Sequence, residues 1–185
     1  MSKGLLILDC YDTLIKFNKP ANAYPRMFHR VGLDSKDFYL ECLTSKLNWR
    51  TLGASNEQIA KFKADLQEDI ASISVLPWTE SLLKSPHQIC ILSNLAEGYD
   101  LPIKQLFPKI PLFTSYELGL RKPSVEIFQH VLDYFQVPAK NAILIDDKPA
   151  NIIMATRLGI NAQILNPHDE DSLTRIINLT ASPIP

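Results

Sequence analysis

Gly4-Leu5-Leu6-Ile7-Leu8-Asp9-Cys10-Tyr11-Asp12-Thr13-Leu14 is the stretch whose reading decides the fold. A short unbroken apolar run ends abruptly in polar groups. Strands buried on both faces, as in a parallel sheet covered by helices, read as continuous runs of this kind rather than as alternating ones. Four more runs follow, at Gln88–Leu92, Ile110–Phe113, Ala142–Ile145 and Ala162–Leu165. Helical patterns lie between them. Val125, Phe128, Val131, Leu132 and Phe135 form one apolar stripe, with Ser124 placed as its N-cap. Pro149 opens and Gly159 follows a second helix through Ile152, Ile153 and Leu158. Strands alternating with helices predict an α/β fold with a doubly wound, Rossmann-like parallel sheet.

The stretch from about residue 18 to residue 74 reads differently. It has no convincing strand, and helical patterns run over Tyr24–Val31, Ser35–Leu47 and Gln58–Ile73. Ser55 with Gln58 three residues later is a capping-box signature for the last of these. Pro77 marks the return to the α/β part, and Trp78–Leu83 reads as a short helix. The expected organisation is an α/β core of residues 1–16 and 75–185, with an inserted helical cap over 17–74. The tail after Leu179, with two prolines, reads as a disordered end.

Of 185 residues, 46% are hydrophobic and 21% charged, with a formal net charge of −1, so the composition is that of a globular domain. No basic run points to nucleic acid or to an anionic membrane, and no apolar run approaches a spanning length. Cys10, Cys42 and Cys90 lack metal-type spacing, and their odd number argues against a disulfide framework. A reduced, cytoplasmic protein is expected.

Ligands of doubly wound sheets bind at the carboxyl ends of the strands. Asp9-Cys10-Tyr11-Asp12-Thr13 follows the first run, Ser93-Asn94 the second, and Asp146-Asp147 the fourth. Arg121-Lys122-Pro123 stands just before a helix. Singly, Asp9 or Ser93 could cap a helix, and Lys122 could be a solvated surface lysine. Together, in this order, they form a phosphoryl-transfer set. Carboxylates serve as nucleophile and hard-cation ligands, and a hydroxyl and a lysine hold phosphate oxygens. Arg26, His29 and Arg30 on one predicted helix, and Trp49 in a predicted loop, read as a solvated face and a packing aromatic.

These four segments resemble the motifs of the haloacid dehalogenase superfamily. Asp9 to Leu14 is similar to its first motif, Ile89 to Asn94 to its second, Gly119 to Pro123 to its third, and Ile143 to Asp147 with Asn151 and Gly159 to its fourth. The helical insert falls where that family places a cap. The resemblance implies a Mg2+-dependent phosphatase acting on a small phosphorylated substrate, with Asp9 forming an aspartyl-phosphate. It implies metal ligation by Asp9, the Tyr11 backbone carbonyl and Asp147, with Asp146 as ligand or support. Ser93 and Lys122 would grip phosphate oxygens, with help from Asn94.

One position departs from the family's phosphatases. Tyr11 stands where they carry an acid/base aspartate. Loss of that group commonly costs about 10²–10⁴-fold in rate, so slow or leaving-group-selective turnover is expected. Asp12 substitutes only if the turn rotates it inward. Tyrosine at this position is also a feature of 2-haloacid dehalogenases, which makes dehalogenation the rival chemistry. The paired Asp146-Asp147 argues against it, since adjacent carboxylates beside Asp9 call for a cation. A catalytically weakened member acting as a binding or regulatory module is the third alternative.

Overall fold

The computed structural model describes residues 4–182, apart from the side chains of residues 35–37. Its elements are β1 (Leu5–Leu8), β2 (Ile15–Phe17), α1 (Ala23–Arg30), α2 (Ser35–Thr44), α3 (Asn56–Ala71), β3 (Ile73–Val75), α4 (Thr79–Leu83), β4 (Gln88–Ser93), α5 (Leu101–Leu106), β5 (Leu112–Thr114), α6 (Ser115–Leu118), α7 (Val125–Phe135), β6 (Ala142–Asp146), α8 (Pro149–Arg157), β7 (Asn161–Ile164) and α9 (Glu170–Ala181). Each of the five apolar runs supplies one strand of a parallel sheet in the order β5-β4-β1-β6-β7. The chain winds outward from β1 through β4 to β5, then returns to β6 and β7 on the other side. The switch in direction opens a crevice at the carboxyl end of β1.

Alternate residues of each central strand feed opposite faces. Leu6, Leu8, Ile91, Ile143 and Ile145 belong to one buried cluster, and Leu5, Ile7, Cys90, Leu92 and Leu144 to the other. Phe128 and Val131 of α7 and Ala155 of α8 complete the second cluster. Each large aliphatic side chain buried this fully stabilises the fold by about 1.5–3 kcal/mol. Both faces being covered explains why the central strands β1 and β6 read as unbroken apolar runs. Cys10, Cys42 and Cys90 are buried free thiols.

The inserted helical segment stands on a stem that the sequence did not show. β2 and β3 pair antiparallel, Ile15 with Val75 and Phe17 with Ile73. Residues 73 and 74 are therefore strand, and α3 stops at Ala71 rather than running to Ile73. Three-residue strands are too short for alternation to register, and their partners lie far apart in sequence. α2 likewise stops at Thr44, short of Leu47. The hydroxyls of Thr44 and Ser45 donate to the Leu40 and Glu41 carbonyls, 2.9 Å in both cases, and so take up acceptors of the last turn.

Local signals hold elsewhere. Ser55 and Gln58 form the capping box of α3. Trp49 packs against Tyr24, Phe28 and Phe62 inside the insert. Arg26 and Arg30 both pair with Asp65 of α3, at 3.0 and 2.5 Å, and tie α1 to α3. Ser124 does occupy the N-cap position of α7, but its hydroxyl makes no cap bond and is buried without a partner. The C-terminal expectation is also corrected. α9 continues through Thr180 to Ala181, where the Ser85 hydroxyl donates to the Thr180 carbonyl at 2.6 Å. Residues 183–185 lie outside the described ones. Among the described residues no helix is long and apolar enough to cross a membrane.

Candidate active site

The register of the sheet sets two carboxylates side by side. Leu8 pairs with Ile145, so the next residues, Asp9 and Asp146, emerge at the same level on neighbouring strands. The Asp9 amide donates to the Ile145 carbonyl at 2.9 Å. Two carboxylates at this separation repel, and Lys122 answers them. Its Nζ lies 2.6 Å from Asp9 Oδ1 and 2.6 Å from Asp146 Oδ2, with the lysine only 2% exposed. Buried charges persist only when paired and hydrogen-bonded in this way.

The charges tune one another. Burial pushes the Asp9 carboxyl up, Lys122 opposes this, and Asp146 adds to it, leaving Asp9 at about 6. Burial alone would lower the Lys122 ammonium, but Asp9 and Asp146 outweigh it and hold it above its ordinary value. Thr13 donates to Asp9 Oδ2 at 3.3 Å, and Asn151 donates to both oxygens of Asp146 at 2.8 and 2.9 Å. The Lys148 amide also donates to Asp146 Oδ1, at 2.9 Å. Together these donors fix the orientation of both carboxylates.

Asp147 completes the group. One oxygen each of Asp9, Asp146 and Asp147 lie within 4.8 Å of one another. Asp147 Oδ2 pairs with Lys148 Nζ at 2.5 Å, while Oδ1 is buried with no hydrogen-bond partner. Lys148 is 63% exposed at its side chain, so water weakens that pair. A buried carboxylate oxygen without a donor, beside two further carboxylates, fits a hard divalent cation that takes oxygen ligands. Mg2+ would be held here by Asp9 and Asp147, with Asp146 beside them.

The remaining residues singled out by the sequence separate into two groups. Ser93 ends β4 at 1% exposure, on the strand next to Asp9. Asn94 follows it, and its side chain is spent on the main chain of Lys122. Nδ2 donates to the Lys122 carbonyl at 2.7 Å, and the Lys122 amide donates to Oδ1 at 2.8 Å. This clamp spans 28 residues, and nothing in the local sequence announces it. The side chain of Tyr11 turns away from the carboxylates. Its ring stacks on Phe17 at 4.7 Å, and its hydroxyl donates to the Tyr99 carbonyl at 2.9 Å. Burial first, then neighbouring acidic groups, pushes that phenol far above its ordinary value. Asp12 is exposed and adopts a left-handed conformation, φ 64°, which closes the turn after Tyr11.

No protein-family model matches the sequence. A drimenol cyclase of Aspergillus calidoustus is 32% identical over 78 residues, 42% of this chain and 14% of the cyclase. A sesquiterpene phosphatase of Aspergillus oryzae is 35% identical over 68 residues, 37% of this chain and 33% of that protein. The matches therefore span a third or less of these relatives. Among solved structures, a haloacid dehalogenase family enzyme of Bacteroides thetaiotaomicron, in complex with magnesium and inorganic phosphate, superposes with a TM-score of 0.63. The two are 18% identical, and the match covers 91% of this chain and 96% of that one. A predicted haloacid dehalogenase-like hydrolase of Porphyromonas gingivalis gives the same TM-score at 18% identity, covering 95% and 98%. The chain shares the fold of these haloacid dehalogenase-like structures.

Proposed function

We propose that the chain is a Mg2+-dependent phosphatase that transfers a phosphoryl group to Asp9 and then to water. The observation that carries this is the buried bridge of Lys122 between Asp9 and Asp146, with the unpartnered Asp147 oxygen beside it. Such a centre offers a nucleophile, a fixed positive charge and a cation site at one point. The sesquiterpene phosphatase and the magnesium–phosphate complex among the similar proteins support the same chemistry.

In the first step an Asp9 carboxylate oxygen attacks phosphorus and the ester oxygen leaves. Asp9 must be ionised, a form that the Lys122 ammonium favours against burial, and Thr13 helps to orient it. Lys122 also orients the carboxylate and neutralises charge as it moves onto the phosphoryl oxygens. Ser93 stands at the adjacent strand end, where its hydroxyl can donate to a phosphoryl oxygen. When bound, Mg2+ supplies further charge neutralisation at that group. In the second step water displaces Asp9 from phosphorus. The Tyr11 hydroxyl is committed to Tyr99 and takes no part, so esters with good leaving groups are turned over best.

Dehalogenation is the second reading, and Tyr11 beside the nucleophile favours it. The third carboxylate, Asp147, set beside the Asp9 and Asp146 that Lys122 bridges, counts against it, because the added negative charge calls for a cation. Phosphate release from acetyl phosphate and aryl phosphates, with Mg2+ or with chelator, separates the two. Mg2+-dependent release that disappears in Asp9→Asn supports the phosphatase. Halide release from 2-haloacids in chelator, with no phosphate release, would replace it.

A further inference from the structure

Between the helical insert and the loops after β1 and β4 lies a cavity of about 340 Å3. Its wall is a run of rings in contact. Tyr11 stacks on Phe17, Phe17 meets Tyr99 edge-on at 5.5 Å, Tyr99 lies 5.9 Å from Tyr24, and Tyr24 lies 6.1 Å from Phe28. The cavity adjoins the reacting centre. Asp12 lines it and also lines the depression that reaches Asp147.

Of the four tyrosines that line the cavity, the exposed Tyr39 stands at its edge and the other three spend their hydroxyls on the protein. Tyr11 donates to the Tyr99 carbonyl, Tyr24 to the Glu97 carbonyl at 2.9 Å, and Tyr99 to Asp69 at 2.7 Å. The amide of Asn94, at the same cavity, is spent on Lys122. No lysine, arginine or histidine is among the described residues that line it. A sugar or nucleotide in this space would leave most of its hydroxyls unpaired, and a second anionic group would meet no cation among the described lining residues and the carboxylate of Asp12. Apolar surface has only to leave water.

We infer that this cavity holds the leaving group, and that the substrate is a phosphate monoester whose leaving group is uncharged and apolar. The inference rests on the phosphatase reading above and names its substrate class. At the roughly 30 Å3 that a water-sized group occupies in a liquid, the space takes about eleven such groups, which is a chain on the order of ten carbons.

A homologous series of n-alkyl phosphates from butyl to decyl, kept below micellar concentrations, tests it beside glucose 6-phosphate. kcat/KM should rise about fourfold per methylene until the cavity is filled, and the sugar phosphate should fall below the butyl ester. Ala21→Trp, which places an indole in the cavity, should flatten the series. Because that variant can fail to fold, uncharged n-decanol provides a second measurement on the parent protein. It should compete with decyl phosphate. A flat series, a preferred sugar phosphate or absence of competition overturns the inference while leaving the phosphatase intact. If acetyl phosphate itself is not turned over, the phosphatase reading fails instead. The cavity is then judged by calorimetric binding of the same alkyl phosphates, where affinity rising with chain length sustains it and equal affinity overturns it.

Discussion

Asn94 holds Lys122 by its main chain, accepting from the amide at 2.8 Å and donating to the carbonyl at 2.7 Å. The lysine that bridges Asp9 and Asp146 is thus positioned from the neighbouring strand end. Asn94→Ala should lower kcat by about 10–100-fold, the usual cost of removing a group that orients a reacting one. Asn94→Asp keeps the acceptor and loses the donor, so it should fall between. Turnover of both variants at the parental rate would show that Lys122 needs no such support.

The unpartnered oxygen of Asp147 makes a prediction about stability as well as activity. A ligand that binds only the folded state stabilises by about 2.7 kcal/mol at a hundred times its Kd. Mg2+ should raise the melting temperature of the parent protein, and Asp147→Asn should remove most of that rise. Melting curves with Mg2+ and with chelator measure it, and an equal rise in the variant would move the cation elsewhere.

Tyr11 should behave as wall rather than as acid. Tyr11→Phe keeps the ring against Phe17 and loses one hydrogen bond, worth about 0.5–1.5 kcal/mol. The slope of log kcat against leaving-group pKa should stay as in the parent. Tyr11→Asp should flatten that slope by supplying a proton to poor leaving groups. A steeper slope in Tyr11→Phe would return the phenol to the chemistry.

Acid should loosen the loop after β4. Burial alone would raise the Asp100 carboxyl, but bonds from Lys104 at 2.6 Å and from the Gly98 amide at 2.9 Å outweigh it and hold it below its model-peptide value. A folded-state pKa below the unfolded one contributes stability that is complete above the unfolded value, about 3.9, and lost as pH falls through the folded one. Chemical denaturation of the parent and of Asp100→Asn should therefore differ at pH 7, and the difference should shrink as pH falls below the unfolded value, about 3.9. A constant difference across that range would deny Asp100 this role.

Much of this was legible in the sequence, because it is local. The central strands announce themselves as unbroken apolar runs, since both of their faces are covered, whereas the edge strand β7 is half exposed and carries Asn161 and Gln163. The capping box at Ser55 and Gln58 lies within one turn. The carboxylates Asp9 and Asp146 can be placed together from strand ends alone, because parallel register carries them to one level. What stayed hidden is what depends on distant pairing. The Ile15–Phe17 and Ile73–Val75 ladder has too few residues for a period. The Asn94 clamp on Lys122 and the turning of Tyr11 toward Tyr99 depend on loops that meet only in three dimensions. The aromatic cavity brings together residues from the insert and from both loops, and only the assembled fold shows that the hydroxyls of Tyr11, Tyr24 and Tyr99 are spent on the protein.

The central claim is that Asp9 carries the phosphoryl group. Parent protein mixed with acetyl phosphate and Mg2+, quenched in acid within a single turnover and digested, should yield a phosphorylated peptide whose modified residue is Asp9. Phosphate release at the parental rate from Asp9→Asn, with no adduct on Asp9 in the parent, would contradict it.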